Sequence, residues 1–385
     1  MKAMESKHSV IFADSVAGMA EIEDRSVRLV VTSPPYPMIE MWDGLFSEMD
    51  GQIGRALQRE RGREAFEKIH RLLDLVWRQL ARVLAPSGIA CINIGDAVRS
   101  IGGKFSLFAN HARITSGMLS LGFDLLPSII WKKSTSSPTK FMGSGMLPPT
   151  AYVTLEHEFV LIFRKGGARK FTTPAEKDMR RKSAFFWEER NKWFTDVWID
   201  LPGTSQALEG LAKRDRSAAF PLELAYRLIN MYSVQGDMVL DPFLGTGTTV
   251  QAAMASGRNS TGIENEHDLK PLILERISRV PETANKIGRN RLDNHINFVR
   301  ERQLLMGPLK HWNSYYGFAV MTRQETEIRI PFIKSITYVS DNRFKVSHEY
   351  RRDWRSPAEQ PPPAIPCNSV CPRPNRGTQL KLFTS

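Results

Sequence analysis

Cysteine is scarce. Cys91, Cys367 and Cys371 are the three in 385 residues, too few for a disulfide framework, so a reducing compartment is expected. Cys367 and Cys371 are also too few and wrongly spaced for a zinc site. No apolar run reaches the ~18 residues that a membrane-spanning helix needs. The opening stretch MKAMESKHSVIFADS lacks an apolar core followed by a small-residue cleavage site, so no secretory signal is expected. These absences predict a soluble, cytoplasmic protein. Internal repeats are missing, and so is the GxGxxG fingerprint of nicotinamide-binding folds, which counts against a dehydrogenase.

What is present is an ordinary globular composition, 42% hydrophobic and 24% charged, which excludes disorder as a description of most of the chain. Its length suffices for one large core, or one core and a satellite. The formal net charge of +12 favours a polyanionic partner, because clustered Lys and Arg displace counterions from phosphate backbones. A basic but unspecialised surface is the other reading of the same charge.

Residues 27–32 (VRLVVT) form a short β-branched run stopped by Ser33-Pro34-Pro35, which predicts a buried parallel strand leaving into a rigid loop. Residues 66–84 space their apolar side chains by three and four, predicting an amphipathic helix that ends at Pro86-Ser87-Gly88. Strands are predicted at 89–94, 123–131 and 159–163, with a helix over 109–121. A helix at 221–232, a strand at 238–240, an Ala-rich helix and a strand at 261–263 follow. This alternation predicts a doubly wound, mostly parallel α/β sheet of Rossmann-like type. The pattern divides the chain into residues 1–163, a basic and aromatic loop-rich insertion at 164–216, and a second sheet part at 217–270. A small appended domain at 271–355 and a proline-rich flexible tail at 356–385 complete the division.

Two constellations carry chemistry. In the first, a strand ends at Asp241 and leads through Pro242, Phe243 and Leu244 into Gly245-x-Gly247, with Thr248 and Thr249 suited to cap a helix. A second strand ends about twenty residues on at Glu264, where a carboxylate can accept both hydroxyls of a ribose. A lone GxG is as readily a structural turn, and the flanking acidic strand ends are what strengthen it. The second constellation is Thr32-Ser33-Pro34-Pro35-Tyr36. The prolines remove backbone donors, a serine hydroxyl beside the free carbonyls can hold an exocyclic amino group, and Tyr36 offers a ring for stacking. Alone, it reads equally well as a proline-rich strand exit with a surface tyrosine.

Taken in order, TSPPY followed far downstream by DPFLGTGTT and Ile263-Glu264 closely resembles the amino-methyltransferases of the β circular order, whose catalytic block precedes the cofactor block. The resemblance covers roughly residues 8 to 266. It includes Asp14 in FADS, Leu84-x-Pro86-x-Gly88 before INIGD, Glu156-His157-Glu158 before FVLIF, and Arg214-Asp215 leading to Phe220-Pro221. It implies S-adenosylmethionine as cofactor, with Asp241, Phe243, Gly245, Gly247 and Thr248 at its pocket, Glu264 on its ribose and Asp14 near its adenine. It implies that Ser33, Pro34, Pro35 and Tyr36 hold a base flipped out of double-stranded DNA, since its amino nitrogen cannot meet a sulfonium methyl inside the stack.

Serine at position 33 favours cytosine N4 as the target, because the resembling enzymes mostly carry serine there for N4-cytosine and aspartate for N6-adenine; adenine N6 is the alternative. Carbon-5 methylation would need a cysteine nucleophile, and Pro366-Cys367 has no strand before it. An inactive nucleic-acid-binding descendant would have no need of both blocks, and no RNA-binding module is recognisable. The resemblance further implies a modification enzyme, with a cognate restriction endonuclease acting on the same site. Alternation along a strand turns His157 away from Glu156 and Glu158, which predicts a structural role. Arg169, Lys170, Arg180, Arg181 and Lys182 are candidate DNA contacts, with Arg289, Arg291, Lys310, His311, Trp312 and Asn313 as further ones.

Overall fold

The structure, a computed structural model, describes residues 4–133, 142–203 and 220–352. Among these, ten strands form one sheet: β1 (Met4–Phe12), β2 (Val27–Thr32), β3 (Leu84–Ile94), β4 (Phe123–Lys132), β5 (His157–Lys165), β6 (Val197–Trp198), β7 (Met238–Asp241), β8 (Asn259–Glu264), β9 (Phe332–Ser340) and β10 (Arg343–Glu349). Their order across the sheet is β6-β4-β5-β3-β2-β7-β8-β1-β10-β9. The central run β3-β2-β7-β8-β1 is parallel throughout, and β5 lies antiparallel between β3 and β4. The doubly wound α/β expectation therefore holds. The chain winds outward from β2 in one direction and from β7 in the other. The crevice at their carboxyl ends is thus the switch point where open sheets of this kind bind ligands.

Helices cover both faces. On one side α1 (Ser15–Ala20), α2 (Asp43–Met49), α3 (Gly51–Gln58), α4 (Gly62–Val83) and α5 (Asn110–Ser120) follow in chain order. Helix α4 buries Ala65, Ile69, Leu73, Val76, Trp77, Leu80 and Val83, the three-and-four spacing seen in the sequence. Its side chains meet Val30, Ile92 and Leu240 of the sheet in one core. Two further helices, α6 (Pro174–Lys182) and α7 (Trp187–Trp193), come next along the chain. The opposite core joins Leu29, Val31 and Val239 to residues of α8 (Leu222–Tyr232), α9 (Thr248–Ala255) and α10 (Lys270–Met306).

Three expectations are corrected. Strand β3 begins at Leu84, directly after α4, because Leu84 pairs with Val27 before the register resumes at Leu29 and Ile89; Pro86-Ser87-Gly88 is absorbed as an irregularity. Residues 164–203 are not chiefly loop: α6 opens on a capping box in which Thr173 accepts from the Glu176 N–H and Glu176 accepts in return. Glu189 of α7 makes a buried ion pair with Arg291 of α10, N–O distances 2.5 and 2.7 Å. Nor do residues 271–355 stand apart as a small domain. The described residues, through 352, belong to one compact unit; β10 pairs antiparallel with β1 and β9 extends the sheet beyond it. The tail at 356–385, Cys367 and Cys371, and Arg214-Asp215 lie outside the described residues.

Candidate active site

Strands β2 and β7 pair side by side and deliver both sequence motifs to one end of the sheet. A cavity of about 520 Å³ opens there, lined by Asp14, Ser33, Pro34, Pro35, Asp241, Phe243, Gly245, Thr248 and Glu264, all expected from the sequence. Its volume is that of a small-molecule site. Phe220, from the Phe-Pro pair, also lines it. The far wall, which the sequence did not announce, is apolar and comes from α2 and α4: Leu45, Phe46, Met49, Leu72, Leu73 and Val76 among others. Two expected residues are not on the wall. Gly247 sits just before α9 with φ of 89°, a left-handed conformation that glycine adopts without strain. Tyr36 is 7% exposed, and its ring edge lies against Gly95.

The loop after β7 is held by backbone. Gly245, at φ 57°, turns its N–H onto Glu264 Oε2 at 2.6 Å. The Glu266 N–H takes Oε1 at 2.8 Å, so the Glu264 carboxylate is fixed at the end of β8. Asp14 caps α1 by accepting from the Val16 and Ala17 N–H groups. Ser15 then ties this corner to the loop by donating to the Pro242 carbonyl at 2.6 Å.

Asp241 joins the two motifs. Its Oδ1 accepts from Thr32 Oγ1 at 2.6 Å and from the Phe243 N–H at 3.0 Å, and its Oδ2 accepts from Thr249 Oγ1 at 2.6 Å. Burial outweighs these three donors and pushes its carboxyl up to about 6. The residue thus lines the cavity, but both of its oxygens are engaged in holding the loops together.

The loop after β2 depends on side chains from elsewhere. Ser33 Oγ donates to Tyr36 Oη at 3.1 Å, and Tyr36 donates to Glu158 Oε2 at 2.9 Å. Asn93 Nδ2 donates to both Tyr36 Oη and Glu158 Oε2, at 2.9 and 2.6 Å, and Lys133 Nζ holds Oε1 at 2.5 Å. Burial, together with the nearby Glu158 charge, raises the Tyr36 phenol well above its ordinary value. Just behind, Asn110 Nδ2 donates to the Pro37 and Gly95 carbonyls at 3.1 and 2.9 Å, which pins the loop exit. Asn93 and Lys133 were not singled out by the sequence, and Thr32, Thr249 and Glu158 were named there without a part in these contacts. A carboxylate opening an otherwise apolar strand, as Glu158 does in EFVLIF, was the available signal. His157 meets Phe159 edge-on, with ring centroids 4.9 Å apart, and takes no part in the network.

The expected DNA contacts divide. Lys170, Arg180 and Arg181 are exposed. Arg169 pairs with Asp237 at 2.6 Å, and Lys182 pairs with Asp178 on its own helix. Arg291 is committed to Glu189 and Tyr226, and Asn313, 1% exposed, caps backbone carbonyls of Glu325 and Ile328. Arg291 and Asn313 are therefore structural. Lys310 and Trp312 remain exposed, and Arg289 and His311 half-buried. No described helix is long and apolar enough to cross a membrane.

The sheet order and this cavity define a class I methyltransferase of Rossmann-like fold. TTHA0409 of Thermus thermophilus, solved in complex with S-adenosyl-L-methionine, shares it at a TM-score of 0.55 and 34% identity, covering 71% of this chain and 95% of that one. The family model of the N6/N4 DNA methylases matches residues 27–275, and the chain belongs to that family. It is 50% identical over 347 residues to the Type II methyltransferase M.MthZI of Methanothermobacter thermautotrophicus, covering 90% of this chain and 96% of the relative. It is 49% identical over 283 residues to M.MjaI of Methanocaldococcus jannaschii, covering 71% and 91%. This chain is a DNA methyltransferase with an S-adenosylmethionine-binding fold.

Proposed function

We propose that the protein methylates the N4 amino group of a cytosine flipped out of duplex DNA, as the modification enzyme of a restriction system. The observation that carries this reading is the meeting of the two loops at one cavity, bridged by Thr32 and Asp241. The names of the two relatives support the restriction-system role.

The residues fit S-adenosylmethionine. Carboxylate oxygens accept hydrogen bonds, and those of Glu264 are already aimed by two backbone N–H groups, which suits adjacent ribose hydroxyls. Phe243, Ile263 and Val16 give an apolar surface for a purine, with Asp14 beside them. When bound, the cofactor supplies a methyl group on a cationic sulfur.

Everything else falls to the protein. Ser33 and the Pro34 carbonyl hold the amino group so that its nitrogen lone pair faces the methyl donor. Pro34 and Pro35 keep the loop stiff, and the apolar wall of α2 and α4 excludes water from the reacting nitrogen. Rate then comes from positioning, and no covalent enzyme intermediate is required. Ser33 also supports cytosine over adenine. The segment 164–216 is assigned to target recognition, and in its described part Lys170 and Arg181 are exposed and can meet phosphates.

The test is to incubate the protein with labelled S-adenosylmethionine and unmethylated genomic DNA, digest to nucleosides and identify the product. N4-methylcytosine is the expected product. N6-methyladenine moves the target to the adenine amino group, and label confined to RNA overturns the DNA assignment.

A further inference from the structure

Two positions behind the cavity have no assigned part in the reaction, although both are chemically conspicuous. Glu158 is a carboxylate 8% exposed and Asn93 an amide 2% exposed, and they converge on the hydroxyl of Tyr36. Their hydrogen-bond polarity follows from the chemistry of the groups. A carboxylate has no hydrogen to give, and Lys133 Nζ lies 2.5 Å from Oε1 as its ion-pair partner. The Asn93 amide must turn its NH₂ towards Glu158 Oε2, because its oxygen at 2.6 Å would set two acceptors against each other.

Tyr36 Oη therefore gives its single hydrogen to Glu158. Its two lone pairs take hydrogens from Asn93 and from Ser33. The phenol stays protonated because burial raises it well above its ordinary range. Ser33 has then spent its one hydrogen inward, and both of its lone pairs are left for the cavity that it lines. Pro34 and Pro35, next along the wall, have no N–H to offer.

We infer that Glu158, acting through Tyr36, fixes Ser33 as a hydrogen-bond acceptor and so selects a base that presents an amino group over one that presents a keto oxygen. An amino group gives its hydrogen to Ser33. A keto oxygen faces lone pairs, and Ser33 can satisfy it only by breaking its bond to Tyr36. Glu158 and Tyr36 are positioning residues in this scheme, and the inference rests on the reading that Ser33 meets the target base.

The test uses the full-length protein and duplexes carrying the site found by product analysis. The target nucleotide is cytosine in one duplex and uracil in the other, or adenine and hypoxanthine if adenine is the product. An abasic site opposite the target in both duplexes removes the difference in pairing cost from the comparison. Binding is read by fluorescence anisotropy with S-adenosylhomocysteine present.

The wild type is expected to prefer the amino-bearing duplex by about ten- to a hundredfold, the scale of a buried polar group left unpaired. Tyr36→Phe and Glu158→Gln should bring that ratio to within about threefold of unity and lower kcat, with cofactor affinity unchanged. A merely structural role would not move the ratio. If Glu158→Gln does not fold, Tyr36→Phe, which loses one oxygen, carries the test. The same ratio in wild type and Tyr36→Phe, or no preference in the wild type, overturns the inference and leaves the methyltransferase reading standing. A product other than an N-methylated amino base overturns both.

Discussion

The loop after β7 presents backbone to the cavity, whereas the loop after β2 presents side chains, and the difference decides what each can tolerate. Gly245 and Gly247 adopt left-handed conformations, and Glu264 is aimed by N–H groups of the main chain. That geometry is written within about twenty-five consecutive residues. Around Ser33, by contrast, the partners come from the ends of β2, β3, β4 and β5, so position 33 is shaped by residues 93, 133 and 158. Asp241 joins the two, through Thr32 on one side and Thr249 on the other.

Removing Asp241 is therefore the strongest way to collapse the contrast. Asp241→Ala strands two threonine hydroxyls and the Phe243 N–H in a buried setting. It should cost about 3 kcal/mol, the sum of a few buried groups left unpaired, and weaken cofactor and DNA binding together. Urea denaturation and the two affinities check this. Loss of cofactor affinity alone would place Asp241 in one loop only.

Acidification probes the supports of both regions. His8 of β1 and His348 of β10, hydrogen-bonded through Ser6, are lowered by burial from 6.5 to about 3 and about 4, with the His348 charge also lowering His8. Burial likewise lowers His70, which bonds Asn110 behind the Ser33 loop, to about 4. Above pH 6.5 all three are neutral whether folded or unfolded. Below it the unfolded chain takes up protons that the folded chain refuses, so stability falls from pH 6.5 towards about 4. Asp241 works the other way. Its folded carboxyl, raised to about 6, takes up a proton before the unfolded one does, which adds stability as pH falls from 6 to 3.8. Three histidines against one aspartate leave a net loss of roughly 4 kcal/mol between pH 7 and pH 5, at about 1.4 kcal/mol per group and pH unit. Urea midpoints at the two pH values measure it, and a flat profile would mean that the histidines become solvated.

Glu264→Gln separates the loops again. The amide keeps one acceptor oxygen but loses the charge that suits two hydroxyl donors. Cofactor affinity should fall at least about tenfold, the loss of a charge-assisted hydrogen bond, with DNA affinity little changed; Tm should fall as well, because the amide NH₂ faces either the Gly245 or the Glu266 N–H. Calorimetric titration with S-adenosylhomocysteine reads the first and anisotropy the second. An equal fall in DNA affinity would tie Glu264 to the base site.

The same contrast sets how much could be read from the sequence. Asp14, Phe243, Gly245, Gly247 and Glu264 were legible because backbone-built sites leave short-range marks: glycines at fixed offsets and acidic strand ends. Ser33 was legible as part of TSPPY, but the groups that orient it through Tyr36 were not linked to it, since Asn93 and Glu158 are sixty or more residues away and reach Tyr36 only through strand order. Tyr36 was read as a stacking surface, yet its hydroxyl is the buried hub of the network. The long helix α10 was missed because Pro281 breaks the pattern for a reader. Its buried stripe of Ile273, Ile277, Val280, Ala284, Gly288, Leu292, His295 and Val299 nonetheless keeps the spacing of three and four.

The smallest expected effect is at Gly247. Its φ of 89° costs an alanine roughly 1–2 kcal/mol of strain, while the nearest neighbour to an added Cβ, Ile273 Cγ2, is at 3.5 Å, ordinary contact. Backbone conformation, and not space, is what the glycine provides. Gly247→Ala should therefore lower stability by that strain and weaken the cofactor modestly by tilting the start of α9, leaving the amino-against-keto ratio at Ser33 untouched. Comparing Tm, cofactor affinity and that ratio in the one variant checks all three. A change in the ratio would show that the two loops are coupled through α9 as well as through Asp241, with Thr249 as the connecting residue, since it reaches both Asp241 and the Val31 carbonyl of β2.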